Sequence, residues 1–260
     1  MKLKNKILIT LSLIGFSTYS FADMKECLLY AAQDDNEKTI EYCTPYLKDK
    51  NNPEATGILG AVATEQKNYK KSLDYKLWLY NYYKGKENLN SNEKEIYTGT
   101  LTAIGSIYYF GEAGKTDKTK GLEYITKAAD SGNTIAQKQL GGFYGSDGTI
   151  PSQNASQAYK WFKAADINRN EETGSNSYIQ TLNSYFSDKP YCIAMGEQLV
   201  AQAYLDGSAG LSVNKSKAKE YLSQAIAIYK DNEPTKASYE YCAKQKGLDL
   251  DGAEKLYKSL

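Results

Sequence analysis

Histidine is absent from all 260 residues of the chain. Its absence excludes the serine-histidine triad, the cysteine-histidine pair, histidine-based zinc sites and imidazole acid-base catalysis together. Arginine occurs once, at Arg169, and 32 Lys plus Arg against 31 Asp plus Glu leave a formal net charge of +1. That balance lacks the clustered cation excess that phosphate binding needs, so nucleic acid is not an expected partner. No apolar run approaches the roughly 20 residues needed to cross hydrocarbon. What the chain has is aromatic surface: 24 Tyr and 6 Phe supply enough apolar area for a real core. A mean hydropathy of −0.60 places it with ordinary globular proteins.

Lys2, Lys4 and Lys6 precede an apolar stretch from Ile7 to Phe16, and Ser20-Phe21-Ala22 puts small residues where a signal peptidase reads. Residues 1–22 are therefore expected to be a signal peptide, leaving 23–260 as a single domain in the periplasm or outside the cell, with no stable membrane insertion. Met24-Lys25-Glu26 before Cys27 is not a lipidation box. An oxidising compartment turns four cysteines into two disulfides. Met24 to Gln33 and Glu37 to Leu47 read as helices either side of Asp34-Asp35-Asn36, so Cys27 and Cys43 face each other across a hairpin. Cys192 and Cys242 are left to pair. Loop closure assigns about 3 kcal/mol to the short loop and about 4 to the long one. A metal-binding thiol set would need Cys-x-x-Cys spacing, which is missing, and no metal is expected.

Self-comparison shows a fixed period. Ile104, Gly105, Tyr108, Lys127, Ala128, Ala129 and Asp130 recur, each 36 residues on, as Leu140, Gly141, Tyr144, Lys163, Ala164, Ala165 and Asp166. A third copy begins near Tyr204, where Gly207 and Gly210 lie 96 residues beyond Gly111 and Gly114, and Tyr221 and Ala225 lie 97 beyond Tyr124 and Ala128. Each unit reads as two helices. Leu101 to Phe110 carries Ile104, Ile107 and Tyr108 at helical spacing, and Lys118 to Asp130 places Leu122, Ile125, Ala128 and Ala129 on one stripe, with Gly132 as the stop.

Leu140-Gly141 with Tyr144 and Gly148, followed by Ala158-Tyr159-Lys160-Trp161-Phe162-Lys163-Ala164-Ala165, resembles the Sel-one-like repeat, a relative of the tetratricopeptide repeat. The resemblance implies an all-α fold, a right-handed α-solenoid of stacked antiparallel helix pairs. Repeats are expected near 53–84, 101–132, 136–166 and 198–228, with capping helices at both ends; Asp249 to Leu260 is the C-terminal one, capped by Asp249 or Asp251. Residues 167–190 interrupt the period, as a degenerate repeat or an inserted loop. Secreted members of the family staple helix pairs with disulfides, in keeping with the cysteine reading.

Three fragments imitate catalytic motifs. Gly114-Lys115-Thr116 ends like a phosphate loop, but the first glycine would fall at Tyr109 and a helix precedes it. A calcium loop around Gly252 would need ligands at Gly247 and Lys258, which cannot serve. Ser-x-x-Lys occurs at Ser91, Ser212 and Ser216, about as often as composition alone produces it, and its companion motifs are missing. No enzyme activity and no cofactor are expected.

The family resemblance implies a binding module that captures a protein partner. It is similar to immunity proteins that neutralise toxic effectors and to sensors that restrain a membrane kinase; a structural scaffold and a β-lactamase-like or cell-wall hydrolase are the remaining readings. The candidate surface starts from Tyr69 to Lys84, which is apolar on more than one face, with Leu73, Leu77 and Tyr80 on one stripe and Tyr75, Trp78 and Tyr82 on another. Neighbouring repeats cover both stripes, or Tyr75, Trp78 and Tyr82 join Tyr109 and Phe143 from later helices to line a groove that anchors the partner.

Overall fold

Short polar side chains open most of the helices, because their oxygens satisfy amide groups that a first helical turn leaves without partners. Asp35, Asn52, Asn68, Asp117, Asn154, Asn214 and Asp249 each accept from a backbone N–H two or three residues on. The computed structural model describes residues 24–48, 52–145, 154–169, 186–232, 235–243 and 245–260, with Ile179, Gln180 and Asn183. The expected signal peptide and residues 170–178 of the interrupted stretch lie outside the described residues. Every described element is helical, in agreement with the all-α reading.

The chain falls into two compact units. The first holds the described residues up to Asn90 with the loop 111–116. Its helices are α1 (Lys25–Ala32), α2 (Asn36–Cys43), α3 (Pro45–Lys48), α4 (Pro53–Glu65) and α5 (Tyr69–Tyr83). The first two form the expected hairpin, closed by the Cys27–Cys43 disulfide. The second predicted helix breaks at Thr44, because Pro45 brings no N–H to continue the ladder. The disulfide sits in a small core with Met24, Ala55 and Leu59, against which Ile40, Leu47 and Tyr75 pack. Next, α4 and α5 form an antiparallel pair, joined where Ser72 Oγ donates to the Gly60 carbonyl at 3.1 Å.

The second unit spans residues 91–110 and 117–260. It contains α6 (Ser91–Phe110), α7 (Lys118–Asp130), α8 (Thr134–Gly145), α9 (Ala155–Asn168), α10 (Pro190–Asp206), α11 (Lys215–Asp231), α12 (Lys236–Cys242) and α13 (Leu250–Lys258). Each of α6 to α10 packs on the next in chain order, α12 leans on α10, and α13 closes on α11. Helix α6 begins ten residues before the expected Leu101. Its first half carries little apolar signal, but Thr98 and Thr100 are buried there. Ala128, Ala129, Ala164 and Ala165 are buried as the repeat predicts. Close backbone approach sets the α6–α7 crossing: a Cβ on Gly105 would lie 2.8 Å from the Gly121 carbonyl oxygen. The Cys192–Cys242 disulfide ties α10 to α12.

Candidate interaction surface

The repeat places its aromatic residues by one local device. In each copy the N-cap residue of the second helix donates its backbone N–H to the carbonyl of a tyrosine near the end of the first: Asp117 to Tyr108 at 2.8 Å, Asn154 to Tyr144 at 3.2 Å and Asn214 to Tyr204 at 2.8 Å. That bond folds each pair back on itself. In two of the copies the tyrosine then stacks on an aromatic partner from the second helix. Tyr108 and Tyr124 stand 6.1 Å apart and Tyr204 and Tyr221 5.7 Å, both near parallel. Lys120 Nζ donates to the Tyr108 hydroxyl at 2.9 Å, and this bond raises the lysine's pKa. The middle copy has Lys160 where the others have Tyr124 and Tyr221; it stands 4.4 Å from the Trp161 ring centroid, and burial pulls its pKa down.

One residue beyond the repeat tyrosine, the same turn of α6 builds an aromatic cluster with α8. Tyr109 stacks on Phe143 at 4.2 Å, and Phe110 meets both edge-on, at 5.2 and 6.2 Å. Tyr109 and Phe143 are almost fully covered, whereas Phe110 is 58% exposed. Lys118 stands 5.5 Å from the Tyr109 ring. The cluster thus has two rings held rigidly and a third displayed. An exposed aromatic packed edge-on against covered rings is the kind of group that anchors a protein partner, because its large apolar face is there to be buried.

The expected groove residues are divided between the two units. Tyr109 and Phe143 come together in the second unit as the covered floor of the cluster. Tyr75, Trp78 and Tyr82 lie in the first unit, all half-buried. Trp78 stacks on Tyr82 at 5.3 Å, and Lys86 sits 4.2 Å from the Tyr82 ring. Tyr75 belongs to the disulfide core instead, facing α4 at Gly60. Phe110, the displayed ring, was not among the expected residues. A signal for it exists: it lies off the Ile104–Ile107–Tyr108 stripe and directly before the break at Gly111, where an apolar side chain gains nothing from the repeat core.

Among the described residues no three His, Cys, Asp or Glu side chains gather to hold a metal, and no helix is long and apolar enough to cross a membrane. At the Ser-x-x-Lys positions, Ser91, Lys94, Ser212, Lys215 and Ser216 are exposed and Lys219 is half-buried.

Comparison with known proteins now bears on the repeat. Residues 101–133, 134–165 and 192–227 match the Sel1 repeat. The crystal structure of a Sel1 repeat protein from Oxalobacter formigenes is similar at 16% identity, over 79% of this chain and 66% of that one, with a TM-score of 0.27. The chain thus spans 66% of that protein's length. No curated protein matches it.

Proposed function

The chain is a helical protein built on three Sel1 repeats, a repeat that generally mediates protein–protein interaction, and from that premise we propose that it is an exported module, periplasmic or secreted, that captures one protein partner. The observation carrying this reading is the α6–α8 aromatic cluster, in which two successive repeats hold Tyr109 and Phe143 rigid and turn Phe110 outward. Export is supported by the charged, apolar and small-residue succession of residues 1–22 and by two disulfides, which persist in oxidising compartments. Within this class, neutralisation of a toxic effector is the role we favour, since such a protein needs a binding surface and no chemistry of its own.

The test is affinity purification of the full chain from the envelope fraction of its host, with the retained protein identified and its affinity measured. Phe110→Ala should weaken that binding about thirtyfold, or about 2 kcal/mol, with the melting temperature nearly unchanged, because the ring is already largely in water. Unchanged affinity removes the cluster from the interface. A retained membrane kinase instead of a toxin turns the role to signalling; self-association without a retained partner turns it to scaffolding.

A further inference from the structure

Between Tyr191 and Leu205, Glu197 is the sole charged residue, set in a run that is otherwise apolar or uncharged. Helix α10 carries it into the interface with α9, where it is 5% exposed. Its Oε1 accepts a hydrogen bond from the Tyr159 hydroxyl of α9, and its Oε2 has no hydrogen-bond partner. A carboxylate buried with one donor and one orphan oxygen carries a desolvation cost that a neutral carboxyl largely avoids. The surrounding charges do not reverse this. From α9, Lys163 favours the ionised form; from α11, Glu220 opposes it. Asp166 of α9 and Tyr221 of α11 act on Tyr159, whose own ionisation burial suppresses. Helix α12 meets α10 nearer its start, at Cys192 and through the Tyr191–Tyr239 hydroxyl pair. Burial dominates, and the Glu197 pKa rises from 4.5 to about 7.

Geometry decides what ionisation would do. Tyr159 is seated against Gly196, the residue before Glu197, at a point where a Cβ would come within 2.6 Å of its ring. The tyrosine is clamped by the backbone of α10 and bonded to the neighbouring side chain. In the packed structure Oε2 is shut away from water.

We propose that Glu197, held by Tyr159 across the α9–α10 interface, is a protonation-gated latch: neutral, it keeps the two helices packed; once its proton leaves to solvent, it loosens that one interface. This stands independently of which partner the protein binds. The linkage has a definite sign. With the folded-state value raised above the unfolded one, the stabilisation is complete below about pH 4.5, declines as pH rises, and is gone above about pH 7.

The full chain, labelled with carbon-13 at its glutamate carboxyls, is titrated by NMR, and amide hydrogen exchange is measured at pH 5.5 and 8 after correction for intrinsic rates. One carboxyl should titrate near 7 and be missing from Glu197→Gln. Protection of α9 and α10 amides should fall roughly tenfold between the two pH values in the natural chain and stay level in Glu197→Gln. Tyr159→Phe should move the midpoint higher, because the lost hydroxyl donation is what favours the carboxylate. A midpoint in the ordinary carboxylate range, or an equal loss of protection in Glu197→Gln, overturns the latch. Should the glutamine variant fail to fold, the midpoint in the natural chain and its shift in Tyr159→Phe still decide.

Discussion

Gln137 is fully buried, and both ends of its amide are satisfied. Its Nε2 donates to the carbonyls of Ala129 and Ala209, each at 2.9 Å, and its Oε1 accepts from Asn168 at 3.2 Å. These bonds join the α7 end, the start of α8, the α9 end and the loop after α10, where Gly210 also donates to the Asp130 carbonyl at 2.9 Å. A buried amide that makes all these bonds rigidifies its surroundings, but an incomplete set is costly. Gln137→Leu keeps the volume roughly and removes both donors and the acceptor. The variant should lose about 1–3 kcal/mol in denaturant unfolding, more than a surface substitution does. In the sequence Gln137 stands with Leu140 and Gly141 at helical spacing, but nothing there shows the partners of its amide, which come partly from a loop 72 residues away.

Among the elements, the α1–α2 hairpin depends most on a covalent bond. It consists of two helices of eight residues, too short to be stable by propensity alone. Thr39 is buried there with no hydrogen-bond partner for its hydroxyl, a further small cost. The disulfide closes a separation of 16 residues, worth about 3 kcal/mol by the loop-entropy argument. Replacing Cys27 and Cys43 together with serine should raise amide exchange through α1 and α2 while leaving α10 to α13 unchanged, since repeat elements are stabilised by their neighbours. Mass spectrometry showing free thiols in the exported chain would remove the basis of this expectation.

For the whole molecule, the exposed end of a helix stack needs a cover. Helix α13 supplies one: Leu248 and Ala253 are buried, the Gly247 carbonyl accepts from Gln198 Nε2 at 2.7 Å, and Gln198 in turn accepts from the Tyr229 hydroxyl at 2.9 Å. Ending the chain after Lys246 would strip an apolar cover and leave a buried amide without its acceptor. It should cost about 3 kcal/mol or more, read as lost protection in α10 and α11 with α1 and α2 unaffected. Global unfolding at a single midpoint is not required for this comparison, because repeat chains open unit by unit.

The period of 36 residues, the glycine breaks, the alanine stripes, the Asp249 cap and the Cys27–Cys43 pairing were legible in the sequence, because each rests on contacts within one helix, one helix pair or successive ones, and Cys192–Cys242 followed by elimination. Local spacing determines those contacts. Tertiary structure decided which aromatics are covered and which displayed: Tyr109 and Phe143 close on each other, Tyr75 joins the disulfide core, and Phe110 is left at the edge. It also decided what Gln137 and Glu197 pair with in the interior. Both outcomes depend on helices and loops brought together from outside the local pattern, so spacing could mark Phe110 as off the repeat stripe but could not name the partners.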